Sequence, residues 1–406
     1  MLTTRSTAAE FIRLEDQYGA NNYHPLDVVV QRAEGVWVWD VDGNKYLDFL
    51  AAYSAVNQGH AHPRIAGALK AQAERVTLTS RAFRNDQLGL FYEEVHELTG
   101  YARMLPMNTG AEAVETAIKA ARKWGYKIKG VPDCKAEIRV FTGNFHGRTT
   151  TIVGFSDDDQ YKDGFGPFTP GFTLLPYGDL EAVRRAMNPN VVGILVEPIQ
   201  GESGIIIPPQ GFMTGLADLC REHRSLLITD EIQSGLGRTG KMFAFEHDGV
   251  RPDIVIIGKA LAGGFYPVSA ILADDEVMGV FNPGDHGSTF GGNPLGCAVA
   301  REALRVLVDE NMIENSAHLG EYFMGKLRTL SSTKIQEIRG RGLWIGLQLT
   351  PQAGGARKYC EALQLKGLLC KETHVDTIRF APPLCITREE LDWAFERVEQ
   401  VFKETD

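Results

Sequence analysis

The chain contains no long apolar run: none of its hydrophobic stretches reaches the roughly 18 residues that a membrane-spanning helix needs. Basic residues are also in deficit, with 42 Lys and Arg against 52 Asp and Glu and a net charge of −10. That balance disfavours nucleic acid or an anionic membrane as the main partner. No apolar signal core is visible at the N-terminus, and acidic residues in a helix predicted around Thr7 to Tyr18 disfavour a transit peptide.

Cysteine is scarce, with six in 406 residues and no CxxC spacing. Scattered thiols of this kind are typical of a reduced, cytoplasmic protein, and they do not suggest a disulfide framework or a zinc site. The pair His60 and His62 has no carboxylate or cysteine cluster beside it, so we predict no metal site. The remaining composition, 44% hydrophobic and 23% charged, is ordinary for a soluble globular enzyme.

The length suits two to three domains. From about residue 60 to 300, strand and helix patterns alternate, which predicts an α/β domain with a mostly parallel sheet flanked by helices. We divide the chain into an N-terminal segment (1–55) that packs with the C-terminal domain, a large domain (56–300) and a small α+β domain (301–406). Strands are predicted at 28–30, 138–142, 192–197, 226–229, 254–257 and 268–273, a strand pair from 335, and helices at 294–309 and 388–404.

Lys259 ends a short apolar run that reads as a buried strand, so its amine should face a partly dry cavity. Burial lowers the pKa of an amine and frees its lone pair, as a Schiff-base lysine requires. Asp230 ends another apolar strand 29 residues upstream (259 − 230). A lysine and an aspartate at neighbouring strand ends suggest pyridoxal 5′-phosphate (PLP). A structural Lys–Asp ion pair is the alternative on these two residues alone.

Two small-residue loops are candidates for holding a phosphate. Thr109 and Glu112 fit a capping box at the start of an amphipathic helix, and the amides of Gly110 and Ala111 would then face an anion. An ordinary capped helix has the same signature. The second loop, residues 287–293, offers further hydroxyls and amides, although alone it is equally a turn.

Aromatic and polar side chains near the strand ends complete a possible ring site. Phe145 follows a strand and is placed to stack on a flat ring, and Arg148 to grip a carboxylate. Ile232 and Gln233, just after Asp230, would reach the other face and the edge of the ring. Core packing for Phe145 and a surface role for Arg148 are the alternatives.

These motifs, in this order, resemble the class III aminotransferases of PLP fold type I over nearly the whole chain. The most specific block runs from Leu226 to Gly240, together with residues 252–264 around the lysine. Residues 22–26, 53–60 and 377–384 are most similar to family members that transfer the δ-amine of ornithine. The resemblance implies the PLP-dependent transferase fold type I, with the large and small domains above.

The resemblance implies cofactor roles for residues already singled out. Lys259 would form the Schiff base and then move the proton, Asp230 would hold the ring nitrogen, and Gln233 would contact the phenolic oxygen. Part of the phosphate site would come from a neighbouring subunit, which implies a homodimer with shared sites. The cofactor-binding set is Thr109, Gly110, Ala111, Phe145, His146, Asp230, Ile232, Gln233 and Lys259, with Ser288 and Thr289 from the partner.

The substrate side is implied in the same way. Arg148 would bind the α-carboxylate of ornithine and Tyr23 its α-amine. Arg379 would take the carboxylate of 2-oxoglutarate in the second half-reaction, and Glu202 would mask that arginine during the first. A static, domain-linking Glu202–Arg379 pair is the alternative. The full substrate-side set is Tyr23, Tyr53, Arg148, Glu197, Glu202 and Arg379.

Three questions stay open at this stage. The donor is ornithine or, alternatively, N-acetylornithine or 4-aminobutyrate, and a non-catalytic PLP-fold protein is a remote third possibility. His146 departs from the tryptophan expected beside the stacking phenylalanine. Its imidazole would pack near the ring. Because an imidazole titrates near neutral pH, it would also change how the activity depends on pH.

Overall fold

The computed structural model describes residues 7–405. The helices are α1 (Ala8–Tyr18), α2 (Ala51–Ser54), α3 (Pro63–Ala73), α4 (Leu88–Thr99), α5 (Gly110–Trp124), α6 (Thr150–Val153), α7 (Asp159–Lys162), α8 (Leu180–Ala186), α9 (Phe212–Glu222), α10 (Asp275–Met278), α11 (Pro294–Asp309), α12 (Met312–Leu327), α13 (Arg357–Leu365) and α14 (Arg388–Thr405). A π-helical turn extends α5 (Gly125–Lys129), and 3₁₀ turns occupy Ala244–Asp248, Lys259–Ala262 and Pro351–Ala353. The strands are β1 (Val30–Glu34), β2 (Trp37–Asp40), β3 (Lys45–Asp48), β4 (Arg103–Met107), β5 (Glu137–Phe141), β6 (Phe172–Leu175), β7 (Val191–Val196), β8 (Leu226–Asp230), β9 (Ile254–Ile257), β10 (Ser269–Ala273), β11 (Ile335–Arg341), β12 (Trp344–Leu349), β13 (Leu368–Leu369), β14 (Lys371–Thr373) and β15 (Thr377–Phe380).

A seven-stranded sheet forms the centre of the chain, in the order β4-β10-β9-β8-β7-β5-β6. Only β10 runs against its neighbours, so the prediction of a mostly parallel sheet is confirmed. Neighbouring residues of β8 point to opposite faces: Ile228 packs in the core that contains α5, and Leu227 in the core that contains α9. Helices on both faces bury the sheet, which explains why its middle strands read as continuous apolar runs.

The two edge strands of this sheet, β4 and β6, were not predicted from the sequence. β4 contains Pro106, a residue that edge strands tolerate and central strands do not. β6 is four residues long, and only Leu175 in it is buried. The predicted strand at residues 28–30 was also misplaced, because β1 begins at Val30 and continues to Glu34.

Two four-stranded sheets accompany the central one. The first has the order β1-β2-β3-β13, and its last pair joins Leu47 and Asp48 to Leu368 and Leu369 in parallel. The second has the order β11-β12-β15-β14, and it contains the strand pair predicted from residue 335. Strands from the two ends of the sequence therefore share one sheet, while the domain limits drawn above stay a prediction.

The short turn α2 is left-handed. Its four residues have φ of 49°, 47°, 58° and 69°, and none is glycine. Such a backbone costs roughly 1–2 kcal/mol per residue. Asp48 opposes that cost at the entrance, because its Oδ1 accepts hydrogen bonds from the amides of Leu50 and Ala51, while His60 Nε2 lies 2.7 Å from its Oδ2. The turn sets the position of Tyr53.

Arg238 ties the central sheet to the second small sheet. Its buried guanidinium donates to the carbonyl oxygens of Leu343 and Pro382 and to the amide oxygen of Asn57. Burial lowers the pKa of this arginine to about 9. The contact fixes the segment that follows β15. Across residues 7–405, no helix has the length and apolar character to cross a membrane, and no cluster of three or more His, Cys, Asp or Glu residues is arranged to hold a metal ion.

Candidate active site

A cavity of about 210 Å³ opens at the carboxyl ends of β5, β7 and β8, beside the end of β9. Ligands of open α/β sheets bind at this edge of the sheet, so the location agrees with the sequence analysis. The cavity is lined by Gly110, Ala111, Phe145, His146, Gly147, Glu197, Ile199, Asp230, Ile232, Gln233, Ser234 and Lys259. Nine of these residues were predicted. Gly147, Ile199 and Ser234 were not, although Ser234 lies within the block from Leu226 to Gly240.

Lys259 begins the 3₁₀ turn after β9, with a left-handed backbone of φ 45°. Within residues 7–405, its amine has no hydrogen-bond or ion-pair partner. Burial lowers the pKa of this amine and outweighs the nearby Glu202, whose charge raises it. Lys259 lines the cavity, and its lowered pKa favours the neutral amine that a Schiff-base lysine needs.

Asp230 ends β8 and is almost fully buried. Its Oδ1 accepts a hydrogen bond from the amide of Ile232 at 3.0 Å. His146 Nδ1 lies 2.7 Å from the Oδ2 of the same carboxylate. The sequence analysis placed His146 near a ring but did not anticipate its contact with Asp230.

The N-terminus of α5 presents two free amides to the cavity. The capping box is complete: Thr109 Oγ1 accepts from the amide of Glu112 at 3.3 Å, and Glu112 Oε2 accepts from the amides of Thr109 and Asn108 at 2.9 and 3.0 Å. Gly110 and Ala111 keep amides without partners among the described residues. Free amides and the helix dipole together favour an anion here.

The residues present fit the predicted cofactor. The free amides of Gly110 and Ala111 form a cradle for a phosphate. A Cβ on Gly110 would lie 3.0 Å from Ile232 Cδ1, so only glycine leaves this cradle open. Ile232 and Phe145 line the cavity between this cradle and Lys259. An unpaired amine, free amides and a buried carboxylate complement an aldehyde, a phosphate and a protonated ring nitrogen, respectively.

Three predicted phosphate residues lie apart from this cavity. The hydroxyl of Thr109 is engaged in the helix cap. Ser288 Oγ accepts a hydrogen bond from Asn108 Nδ2 at 2.8 Å, and Thr289 is exposed to solvent. A contribution of Ser288 and Thr289 to the site of a partner subunit stays a prediction.

Glu202 and Arg379 form a bidentate ion pair above the cavity, with N–O distances of 2.9 and 3.0 Å. Arg379 is only 1% exposed. Burial would raise the pKa of Glu202, but the charge and hydrogen bonds of Arg379 lower it to about 2. The amide of Gln233 lies against the same pair, with its nitrogen 3.3 Å from Glu202 and its oxygen 3.2 Å from Arg379.

Arg148 has no carboxylate partner among residues 7–405, in contrast to Arg379. Three aromatic rings surround it instead: its guanidinium carbon lies 4.5 Å from the ring centre of Tyr161, 5.8 Å from Phe145 and 6.0 Å from Tyr23. Cation–π contacts hold a guanidinium without neutralising it. The sequence alone does not indicate Tyr161, because no periodicity or motif marks a tyrosine in the short helix α7.

Two wider cavities lead to the site. One of about 320 Å³ contains Tyr53, Phe145, Tyr161 and Glu202, and an apolar one of about 620 Å³ contains Tyr23 and Tyr53. Tyr53 lies between them, and the guanidinium of Arg379 lies 5.1 Å from its ring centre. Tyr23, Tyr53 and Glu202 thus line the wider cavities, and Arg148 and Arg379 lie against their aromatic side chains. Glu197 instead lines the smaller cavity.

Glu197 follows β7 and is buried beside Asp230 and His146 in the cavity wall. Its Oε2 accepts a hydrogen bond from the amide of Phe145 at 3.0 Å. Burial raises the pKa of this carboxyl to about 7, against the lowering effect of His146. Glu197 is therefore proton-bound in the folded protein at pH values where an exposed glutamate is ionised.

This pKa shift predicts how Glu197→Gln changes stability with pH. Between the unfolded pKa of 4.5 and the folded pKa of about 7, only the unfolded state releases the proton, so stability falls as pH rises. A glutamine is neutral throughout and removes that loss, worth roughly 3 kcal/mol. Urea unfolding at pH 5 and pH 8 should show that the free energy of unfolding of the variant, relative to wild type, is higher at pH 8 than at pH 5. An identical stability difference at both pH values would contradict the assignment.

Comparison with known proteins gives one consistent result. The family model for class-III aminotransferases matches residues 18–402. The chain is similar to the ornithine aminotransferase of Brevibacillus brevis, with 59% identity over 97% of this chain and 98% of the relative. A solved ornithine aminotransferase from Toxoplasma gondii, with partial occupancy of PLP at its active site, is 45% identical with a TM-score of 0.97, covering 98% of this chain and 95% of that one. An acetylornithine aminotransferase from Elizabethkingia anophelis is also 45% identical, with a TM-score of 0.89 over 98% and 100% of the two chains.

Proposed function

The chain belongs to the class III aminotransferases, and from that premise we propose that it transfers the δ-amino group of L-ornithine to a 2-oxo acid. The products are L-glutamate 5-semialdehyde, which closes to 1-pyrroline-5-carboxylate, and glutamate when the acceptor is 2-oxoglutarate. The observation that carries the proposal is the Glu202–Arg379 pair above the Lys259 cavity. A carboxylate that covers an arginine allows one site to serve two differently charged substrates.

PLP is the proposed cofactor, as in the class III family. When bound, it supplies an aldehyde that exchanges oxygen for the substrate amine and a ring that withdraws electrons from the reacting carbon. The amides of Gly110 and Ala111 would hold its phosphate, and Asp230 its ring nitrogen. Phe145 and Ile232 would enclose the ring.

Lys259 is the proposed catalytic base. Burial lowers the pKa of its amine, which favours the neutral form that takes the proton leaving the δ-carbon of ornithine. The same amine returns the proton later in the half-reaction. The left-handed backbone at Lys259 directs the side chain to this position, and strain of this kind recurs at functional sites.

Ornithine is proposed to enter with its α-substituents held away from the reacting centre. Arg148 has no carboxylate partner in the described part of the chain and would bind the α-carboxylate in bidentate fashion. Tyr23, 73% exposed at the entrance, would accept a hydrogen bond from the α-ammonium group. Tyr53 would line the path between them and the cavity.

Arg148 and Arg379 would then bind carboxylates in different half-reactions. During the ornithine half-reaction, Glu202 covers Arg379 and prevents ornithine from binding there by its carboxylate. In the second half-reaction, a carboxylate of 2-oxoglutarate replaces Glu202 on the guanidinium. The exchange conserves charge at Arg379, so neither step leaves a buried cation unpaired.

Glu202→Gln should raise kcat/KM for glutamate as amino donor by about tenfold or more, because the mask loses its charge and its bidentate bond. The measurement is the half-reaction with glutamate in a stopped-flow spectrometer. Glu372→Gln is the matched control, since Glu372 lines the same entrance but pairs with Arg357 and Lys371. Unchanged glutamate kinetics in Glu202→Gln would refute the masking role.

Tyr23→Phe should lower kcat/KM for ornithine by about tenfold, the loss expected for a hydrogen bond to a charged group. N-acetylornithine, whose α-nitrogen is uncharged, should lose little. Tyr18→Phe is the control, since Tyr18 is a similarly exposed tyrosine in α1. Equal losses for the two donors would contradict the role given to Tyr23.

A second candidate function is transamination of N-acetylornithine, favoured by the 45% identity to an acetylornithine aminotransferase. A donor panel separates the candidates: ornithine, N-acetylornithine, 4-aminobutyrate and lysine, each with 2-oxoglutarate. We expect ornithine to have the highest kcat/KM and to yield the cyclic imine, detected with 2-aminobenzaldehyde. A preference for N-acetylornithine would favour the second candidate. If no donor were converted, the result would support a non-catalytic protein of the same fold.

The proposed assembly is a homodimer with shared sites, acting in the cytoplasm. Support for the dimer comes from Ser288 and Thr289, which belong to the predicted phosphate site yet lie outside the cavity of their own chain. Support for the location comes from the six cysteines, all of which are free thiols. Sedimentation velocity would test the assembly.

A further inference from the structure

Tyr161 is the aromatic residue nearest to the arginine that would bind the α-carboxylate of the donor. The guanidinium carbon of Arg148 lies 4.5 Å from the ring centre of Tyr161, against 5.8 Å for Phe145 and 6.0 Å for Tyr23. Phe145 lines the proposed cofactor cavity, and Tyr23 is 73% exposed. Tyr161 is half-buried and lies outside the cofactor cavity, so its ring is free to support the guanidinium.

The short helix α7, which carries Tyr161, is joined to the loop that carries Arg148. The side chain of Asp158 caps α7 by accepting a hydrogen bond from a backbone amide at 2.9 Å. The preceding residue, Asp157, reaches the loop after β5, where both of its carboxylate oxygens lie 2.9 Å from the amide of Gly143. The ring and the guanidinium are therefore held at a fixed separation by backbone contacts.

A second aromatic residue fixes the orientation of the Tyr161 ring. Phe145 packs against it edge to face, with ring centres 6.0 Å apart and an interplanar angle of 71°. Aromatic pairs prefer this geometry and are stabilised by it beyond the area that they bury. Phe145 is itself fixed, because its amide donates to Glu197 Oε2 at 3.0 Å. The ring of Tyr161 thus presents a face of defined direction to Arg148.

The carboxylates closest to Tyr161 are already engaged elsewhere. Asp157, Asp158 and Glu202 line the same 320 Å³ cavity as Tyr161. The two aspartates accept hydrogen bonds from backbone amides, and Glu202 pairs with Arg379. An arginine that rests on an aromatic face, instead of pairing with one of these carboxylates, keeps its fork of N–H donors for an incoming carboxylate.

The phenol of Tyr161 is a neutral partner for the guanidinium. Burial raises the pKa of its hydroxyl, and the charge of Arg148 opposes that effect. The phenol is therefore protonated at neutral pH and leaves the charge of Arg148 in place. A long side chain that is ordered before its ligand arrives loses less conformational entropy on binding, which strengthens binding.

We propose that Tyr161 is a positioning residue for Arg148: the face of its ring holds the guanidinium ready to bind the α-carboxylate of the donor. The inference rests on the proposed function and adds a residue that determines specificity through another side chain. It applies to N-acetylornithine as well as to ornithine, because both donors carry the same α-carboxylate.

Two substitutions at Tyr161 test the proposal. Tyr161→Phe keeps the ring and removes the hydroxyl, whereas Tyr161→Leu removes the ring. We expect KM for ornithine to rise about 5- to 30-fold in Tyr161→Leu, the range of a cation–π contact, and to stay within about threefold of wild type in Tyr161→Phe. The value of kcat should change little, because the lost contact does not involve the reacting carbon. N-acetylornithine should show the same pattern.

Tyr322→Leu is the matched control, because the guanidinium carbon of Arg388 lies 4.3 Å from the ring centre of Tyr322 in α12. That pair lies outside the cavities of the site, so its loss should leave KM for ornithine unchanged. Far-UV circular dichroism shows whether each variant is folded. Tyr161→Met, which also lacks a ring, replaces Tyr161→Leu if the latter is unfolded.

A double-mutant cycle separates positioning of Arg148 from general packing. In an Arg148→Gln background, Tyr161→Leu should add little to KM for ornithine, because the cation that the ring holds is already absent. Equal KM values for the Leu and Phe variants, full additivity with Arg148→Gln, or a loss confined to kcat would overturn the proposal. Wild-type protein that converts no ornithine would instead refute the proposed function, and this inference with it.

Discussion

Replacing Lys259 with alanine is expected to lower kcat/KM for ornithine by at least about 10⁴-fold, the upper range of effects attributed to a positioned acid–base group. The loss should exceed that value, because the same amine is also the proposed covalent anchor of the cofactor. Among residues 7–405, Lys259 is the one lysine that lines the cavity. The cavity would still bind PLP, held by Gly110, Ala111 and Asp230, but more weakly.

Borohydride reduction followed by peptide mass spectrometry gives a readout independent of turnover. Wild-type protein should carry the reduced cofactor on the peptide that contains Lys259, and Lys259→Ala should carry none. Lys241→Ala is the matched control, since Lys241 is an exposed lysine outside the cavity. Cofactor fixed by borohydride to Lys259→Ala would show that another amine is the anchor.

Arg379→Lys is expected to reduce kcat/KM for 2-oxoglutarate by about 10²–10³-fold while leaving the ornithine half-reaction within a few-fold of wild type. The substitution keeps the positive charge but loses the planar fork that binds a carboxylate bidentately. Arg379 is buried and already makes such a fork with Glu202. The single ammonium group of lysine cannot make both hydrogen bonds to Glu202, and it binds the carboxylate of the incoming keto acid less tightly.

Single-turnover kinetics measure the two half-reactions separately and so provide an internal control. Ornithine is mixed with the cofactor-loaded variant first, and 2-oxoglutarate is mixed afterwards with the amino form. The expected pattern is a large loss confined to the second step. Equal losses in both steps would indicate a structural role for Arg379, the domain-linking alternative raised by the sequence.

The central sheet was largely predictable because its interior strands are buried on both faces. β7, β8 and β9 are buried throughout and mostly apolar, and the polar residues that the site needs lie at or just after their ends. The edge strands β4 and β6 lack that signal, since each mixes buried, half-buried and exposed residues and packing on one side decides their conformation. The sequence pattern therefore predicts the interior strands of this sheet but not its two edge strands.

The site shows the same division between local and long-range information. Lys259 and Asp230 were identified because each ends a strand with its own apolar pattern. Their surroundings depend on contacts between distant positions, such as His146 with Asp230, and no local pattern encodes these. Tyr161 beside Arg148 is a second example.

The left-handed turn at Ala51–Ser54 was beyond sequence reasoning for a different reason. Glycine is the usual sign of positive φ, and this segment has none. Its conformation is imposed by Asp48 and by the packing around it, so it is a property of the assembled fold. Residue preferences alone would assign these four positions to an ordinary helix.

The parallel pair between β3 and β13 has a consequence for the order in which the chain is made. About 320 residues separate the two strands (368 − 48), and at roughly 5–20 residues per second the ribosome needs about 16–64 s to supply the second. During that interval β3 presents an unpaired edge, while the strands that bear Asp230 and Lys259 have already emerged. A nascent chain can therefore complete its cofactor cavity before Arg379 exists, and selectivity is the last property that synthesis confers.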